Sequence, residues 1–215
     1  MRTWIKICAT TCIEDAQAAI AAGADALGFV FVPSKRRISA EQAAAIIAQL
    51  PATIERVGVF NNDSAARIRE VVEHAGLTAV QLHGEESPEF IAQLMSGWTR
   101  APRMRVIKTV LVNHDFPQRF AQVCDRNDCI DCILLDAGAG SGMTFDWSKA
   151  QPQLGRSQKP IIVAGGLNAE NVGEAIRQFS PWGVDVASGV ERKPGRKDPD
   201  KLMAFVAAVR KAEKK

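Results

Sequence analysis

Eight short apolar runs, each followed by a helical pattern, constrain the fold of this chain more than any other feature. They lie at residues 4–8, 26–31, 54–60, 79–82, 106–110, 132–135, 160–164 and 184–187, and are rich in Val, Ile or Phe. Runs this short and this apolar read as strands buried on both faces. Helical patterns fill the gaps. Residues 14–22 are Ala-rich, and Ser39 with Gln42 forms a capping box for a helix that Pro51 ends. Asp63 opens another, with Gly76 as its C-cap. Residues 86–95 and 116–124 are weaker, and 168–179 and 200–211 are clear. Strand–helix alternation without a Gly/Ser linker implies parallel strands joined by right-handed crossovers. Eight such units predict one α/β domain over residues 1–215, a closed (β/α)₈ barrel of the TIM type. At 215 residues the chain is short for a fold of typically about 250, so the unit between the sixth and seventh strands must have a very short helix. The alternative is an open doubly wound sheet, but no G-x-G-x-x-G follows the first strand.

Composition excludes several classes of partner. A formal net charge of +3, with basic residues spread out, does not favour nucleic acid. The local exceptions are Lys35-Arg36-Arg37, Arg192-Lys193 with Arg196-Lys197, and the tail from Lys211 to Lys215, which reads as a solvated end. Glu14 and Asp15 interrupt any signal-peptide core, and no apolar run approaches the roughly 18 residues of a membrane span. The expectation is a cytoplasmic protein with no membrane partner. Its five cysteines then read as free thiols. Cys129-x-x-Cys132 is half a metal signature, but no second pair follows and His74, His83 and His114 lack ligand spacing, so no metal is expected.

In such a barrel, chemistry sits at the C-terminal strand ends and phosphate on the loops after strands seven and eight. Those loops begin with Gly165-Gly166 and Ser188-Gly189, which read as a phosphate cup. The remaining ends carry Cys8; Phe31 followed by Ser34-Lys35-Arg36; Phe60-Asn61; Gln81 and His83; Lys108; Asp136; and Asp185. Cys8 is either a small buried hydrophobe or a general base. Lys6 shares its strand face, and Lys6 and Arg36 are the cations that could favour a thiolate. Asp136 is either a cap or turn residue or an acid facing Cys8. Asp185 is a rival carboxylate whose other reading is an ion pair inside the barrel. The loop Gly138-Ala139-Gly140-Ser141-Gly142 is a simple link or a mobile flap beside Asp136, with Phe145 and Trp147 anchoring it. It lacks the Lys-Ser/Thr of a nucleotide-binding loop.

Taken together and in order, these pieces resemble the phosphoribosylanthranilate isomerase family. The resemblance rests on Ile5-Lys6-Ile7-Cys8, Gly23-Ala24-Asp25-Ala26-Leu27-Gly28-Phe29-Val30-Phe31, Ser34-Lys35-Arg36, Arg56-Val57-Gly58-Val59-Phe60, Val80-Gln81-Leu82-His83-Gly84, Ile133-Leu134-Leu135-Asp136, Thr144-Phe145-Asp146-Trp147, Ala164-Gly165-Gly166-Leu167-Asn168 and the stretch from Val184 to Glu191 leading to Pro194-Gly195. It implies an Amadori rearrangement of N-(5-phosphoribosyl)anthranilate in tryptophan biosynthesis, without metal or organic cofactor. By position it implies Cys8 as general base and Asp136 as general acid. Arg36 would hold the anthranilate carboxylate, Gln81, His83 and Asp185 would contact substrate, and Gly165, Gly166, Ser188 and Gly189 would bind phosphate. The partner implied is a small phosphorylated molecule, and a monomer is the favoured state. A related histidine-pathway isomerase performs the same rearrangement, but it resembles two fused half-barrels with Asp at the ends of strands one and five, where this chain has Cys8 and Lys108-Thr109. A non-catalytic phosphate-binding barrel is the reading from another class. One departure stands out: the family usually has Gly after the cysteine, and this chain has Ala9, which would be strained if that position needs positive φ.

Overall fold

The apolar runs form eight parallel strands: β1 (Trp4–Ile7), β2 (Ala26–Val30), β3 (Glu55–Phe60), β4 (Ala79–Leu82), β5 (Arg105–Leu111), β6 (Cys132–Asp136), β7 (Ile161–Val163) and β8 (Gly183–Val186). Each pairs with the next, and β8 pairs back with β1, so the sheet is a closed barrel. This computed structural model describes residues 2–98, 103–125, 129–136, 154–155 and 157–213. The expected short helix between β6 and β7, the loop at Gly138 to Gly142 and the Phe145-Asp146-Trp147 anchor lie outside the described residues.

Alternation along each strand sorts the side chains into two cores. Ile5, Ile7, Leu27 and Phe29 point outward and pack under the helices. Ala26, Val57, Ala79, Ile107, Cys132, Leu134 and Ile162 fill the barrel interior. Two of these seven are alanines, which suits the narrow lumen of an eight-stranded barrel. Trp4 stacks on Trp182 at 5.0 Å at the N-terminal end, and Arg105 lies 5.0 Å over the Trp182 ring. Arg105 also pairs with Glu55 at 2.8 Å. The bottom of the barrel is therefore plugged by stacked rings and an ion pair.

Seven helices are described outside the barrel: α1 (Ile13–Ala22), α2 (Ala40–Ile47), α3 (Ala65–Ala75), α4 (Pro88–Ser96), α5 (Phe116–Asp125), α6 (Val172–Phe179) and α7 (Pro199–Ala212). The capping box at Ser39 and Gln42 forms as expected, and Gly76 ends α3 at φ +74°. Two helix starts differ from expectation. Ser64 caps α3, because the Asp63 carboxylate accepts from the Asn61 N–H instead. Asn168 does not open α6. Its side-chain oxygen accepts from the Glu170 and Asn171 N–H groups, a local turn that delays the helix to Val172. The basic residues between 192 and 197 fold into a small antiparallel hairpin, β9 (Glu191–Lys193) and β10 (Arg196–Lys197), turned at Pro194-Gly195. Sequence patterning did not foresee it.

Candidate active site

Lys6 and Asp185 form the floor of the open end. They are register neighbours on β1 and β8, so both side chains enter the lumen side by side. Their charged atoms meet at 2.9 Å, with Lys6 fully buried. Burial alone would lower the Lys6 ammonium, but Asp185 and Cys8 outweigh it and hold its pKa above the ordinary 10.5. Asp185 thus takes the ion-pair reading as well as a place at the mouth.

Cys8 lies one residue past the end of β1, buried, with its N–H on the Val186 carbonyl. Its sulfur fits because β2 carries Gly28 opposite it. A Cβ there would lie 2.8 Å from the Cys8 Sγ, 3.0 Å from the Cys8 Cα and 3.0 Å from Lys6 Cε. The sequence offered Lys6 and Arg36 as cations that could favour a thiolate if the geometry allowed. The balance runs the other way: burial pushes the thiol above its ordinary 9.0, with Asp185 adding to the rise and Lys6 and Lys197 only opposing it. Ala9 follows at φ +65°, the left-handed region that the family's glycine would adopt freely. For an alanine this costs on the order of 1–2 kcal/mol. The methyl group is buried with Cys8, Val30 and Val59, which offsets part of that cost.

Arg36 does not stand free in the mouth. Its Nε reaches both Glu191 carboxylate oxygens at 2.9 and 3.1 Å, and Nη2 reaches Oε2 at 2.8 Å. Behind Glu191 lies the fully buried Lys197. Its ammonium donates to the Cys8 carbonyl, to the Ala187 carbonyl at 3.2 Å and to Glu191 Oε1 at 3.3 Å. Burial pushes the Glu191 carboxyl up, but Arg36 and Lys197 outweigh it and hold its pKa below the ordinary 4.5. Sequence reading missed Glu191 and Lys197. The available signal was the Pro194-Gly195 turn, which folds Lys197 back toward Glu191.

On the opposite side, His83 Nε2 lies 3.8 Å from Asp136 Oδ2 at the end of β6. Burial lowers the His83 pKa below 6.5, opposed by Asp136 and helped by Lys108 and Lys6. Gln81 lies deeper, donating to Thr109 Oγ1 at 3.3 Å while its buried Oε1 has no hydrogen-bond partner among the described residues. Lys108 is structural: it is buried, with Glu86 at 2.9 Å and the Gly84 carbonyl at 2.6 Å. That network shapes the loop that carries His83. Cys132 is inside the barrel, where burial pushes its thiol up to about 11, which suits packing rather than ligation.

Gly165 and Gly166 both have positive φ, +88° and +67°. Ser188 and Gly189 form a short 3-10 turn after β8. A Cβ on Gly189 would fall on the Leu167 carbonyl oxygen, so the two glycine loops touch through their backbones. The candidate phosphate residues are therefore contiguous, whereas α6 begins too late for its N-terminus to adjoin Gly165-Gly166 directly.

Residues 5–208 match the family model for N-(5'-phosphoribosyl)anthranilate isomerase. The chain belongs to this family. It is similar to the N-(5'-phosphoribosyl)anthranilate isomerase of Acidithiobacillus ferrooxidans, with 45% identity over 96% of this chain and 97% of that one. The enzyme of that name from Chromohalobacter salexigens is 44% identical over 97% and 94% of the two chains. A crystal structure of phosphoribosyl anthranilate isomerase from Thermotoga maritima superposes with TM-score 0.86 at 42% identity, covering 97% of this chain and 99% of that one. Another isomerase structure, holding reduced 1-(o-carboxyphenylamino)-1-deoxyribulose 5-phosphate, gives 0.84 at 41% identity over the same shares. The barrel expected from strand alternation is the family's fold, and among the described residues no helix is long and apolar enough to cross a membrane.

Proposed function

We propose that the chain isomerises N-(5-phosphoribosyl)anthranilate to 1-(2-carboxyphenylamino)-1-deoxyribulose 5-phosphate in tryptophan biosynthesis, with Asp136 as general acid and Cys8 as general base. Asp136 protonates the furanose ring oxygen, the C1–O bond opens, and the aniline nitrogen's electron pair forms an iminium with C1. The Cys8 thiolate then takes the proton from C2, giving an enolamine. Loss of the 2-hydroxyl proton and protonation at C1 complete the ketose. The sum is an isomerisation, with no oxidant or reductant. Gly165, Gly166, Ser188 and Gly189 hold the phosphate, Arg36 holds the anthranilate carboxylate, and Gln81, His83 and Asp185 contact the sugar between them. A guanidinium suits a planar carboxylate in a way an ammonium does not, so Arg36→Lys mainly raises KM.

The observation that carries this reading is the arrangement around the mouth. The Cys8 thiol lies beside the buried Lys6 at the end of β1, and the Asp136 carboxyl group stands 3.8 Å from the His83 ring at the end of β6. A monomeric functional unit in the cytoplasm completes the proposed reading.

The test follows loss of substrate fluorescence with purified protein. Cys8→Ala and Asp136→Asn each lower kcat/KM by about 10²–10⁴-fold, the usual worth of a positioned acid or base. Retention of activity within tenfold by both variants overturns the mechanism. The pH profile is a bell, flat where the pair shares one proton. Its alkaline limb marks loss of the last proton and lies above the ordinary thiol value of 9.0, because burial raises Cys8. An alkaline limb about a unit below that value argues against Cys8.

A further inference from the structure

We infer that Glu191 is a positioning residue of this site: it fixes the Arg36 guanidinium by one edge so that the other edge meets the substrate carboxylate. The inference rests on the reading of Arg36 given above.

A guanidinium can form two paired hydrogen bonds along its Nε–Nη2 side or across its Nη1–Nη2 end. Glu191 takes the side, with Nε at 2.9 Å and 3.1 Å from the two oxygens and Nη2 at 2.8 Å. Among the described residues Nη1 has no hydrogen-bond partner, so the end is left for a second carboxylate. Burial fits the same division of labour. The Arg36 side chain is 31% exposed and that of Glu191 is 4% exposed, so the carboxylate is the wall and the guanidinium reaches into the mouth.

The charge balance points the same way. Arg36, Glu191 and Lys197 sum to one positive charge, which a bound carboxylate neutralises. Lys197 in turn makes Glu191 rigid. Its three ammonium hydrogens have three acceptors: Glu191 Oε1, the Cys8 carbonyl and the Ala187 carbonyl. The Gly195 N–H also reaches Glu191 Oε1 at 3.3 Å. The same buried cation therefore ties the carboxylate that aims Arg36 to the backbone that carries Cys8. The substrate's acidic end and the proton acceptor are held at a set separation through the hairpin.

The opposite possibility is that Glu191 competes with the substrate for Arg36, and the sign of the KM change separates the two. Steady-state kinetics would compare the wild type with Glu191→Gln, Glu191→Asp, Arg36→Met and the Arg36→Met/Glu191→Gln pair. We expect Arg36→Met to raise KM about 100-fold and Glu191→Gln about tenfold, with kcat changed far less in the second case. In the Arg36→Met background Glu191→Gln should change KM no further, because the effect passes through Arg36. Glu191→Asp keeps the charge that Lys197 needs but draws the carboxylate back by one methylene. It should keep a near-native thermal midpoint and still raise KM, which separates aim from folding. A KM that is unchanged or lower in Glu191→Gln and Glu191→Asp overturns the inference, as does a tenfold effect that persists without Arg36; both leave the role of Arg36 standing. An unchanged KM in Arg36→Met overturns that role, and the inference with it.

Discussion

Replacing Asp185 by Asn isolates the energetics of the barrel floor. The substitution keeps size and one acceptor oxygen but removes the charge that meets Lys6 at 2.9 Å. Lys6 is fully buried and the Asp185 side chain 9% exposed, so solvent screening offers little relief. Removing one partner of such a pair costs about 3–5 kcal/mol, with the retained acceptor favouring the lower end. For a chain of this size each kcal/mol shifts the thermal midpoint by about 2–4 °C, so the expected fall is about 6–20 °C. The pH dependence gives a second signature. In the wild type the Lys6 pKa is raised, so its stabilisation is complete below the unfolded-state value and is lost as pH rises through the higher folded value. In Asp185→Asn burial dominates and lowers the Lys6 pKa below its unfolded value. The unfolded state then binds more protons between the two values, and stability rises with pH there. The deficit relative to the wild type should therefore narrow from about pH 7 toward about pH 10. Circular dichroism melts across that range test both points. A midpoint within about 2 °C of the wild type, or a deficit that does not narrow, would refute the reasoning.

Two glycine substitutions test the packing of the mouth. Gly28→Ala puts a Cβ 3.0 Å from the Cys8 Cα, a contact no rotamer change relieves, so it should cost about 1–3 kcal/mol and lower kcat/KM. Wild-type kinetics would show that the Cys8 end of β1 is not held against β2. Gly189→Ala places a Cβ 2.9 Å from the Leu167 carbonyl carbon and 3.1 Å from Asn168 Cα, so the two glycine loops must part. Competitive inhibition by inorganic phosphate should weaken about tenfold, and an unchanged inhibition constant would remove Gly189 from the proposed phosphate site.

The barrel was legible because its signal is periodic and local: each strand lies within a residue or two of its apolar run. Helix starts were less so. Ser64 and Asp63 are both good caps, and what decided between them was a turn hydrogen bond to Asn61. The place of Cys8, Asp136 and the glycine loops at the mouth was legible because they follow strands whose ends must gather there. For Glu191 and Lys197 the Pro194-Gly195 turn could signal only their own pairing, since Arg36 lies 155 residues from Glu191 in the chain and Lys197 lies 189 from Cys8. Nothing periodic marks such pairs. The direction of the Cys8 shift was equally hidden, because nearby cations can be read from sequence and the extent of burial cannot. The positive φ of Ala9 was visible only through the family's glycine.

The closing seam of the barrel has a consequence for how the protein is made. Lys6 and Asp185 are 179 residues apart, Lys197 bonds the Cys8 carbonyl across 189, and the Thr3 N–H donates to Glu213 across 210. Each contact joins the start of the chain to its final quarter. During synthesis β1 waits through most of translation before its neighbour on that side exists, with Lys6 lacking Asp185 and the Cys8 N–H lacking the Val186 carbonyl. Loop closure over such a span is slow and entropically costly. Assembly of the floor is thus bound to the completion of the whole circle, and catalytic activity becomes a direct reporter of ring closure, silent in any nascent chain that has not yet delivered β8.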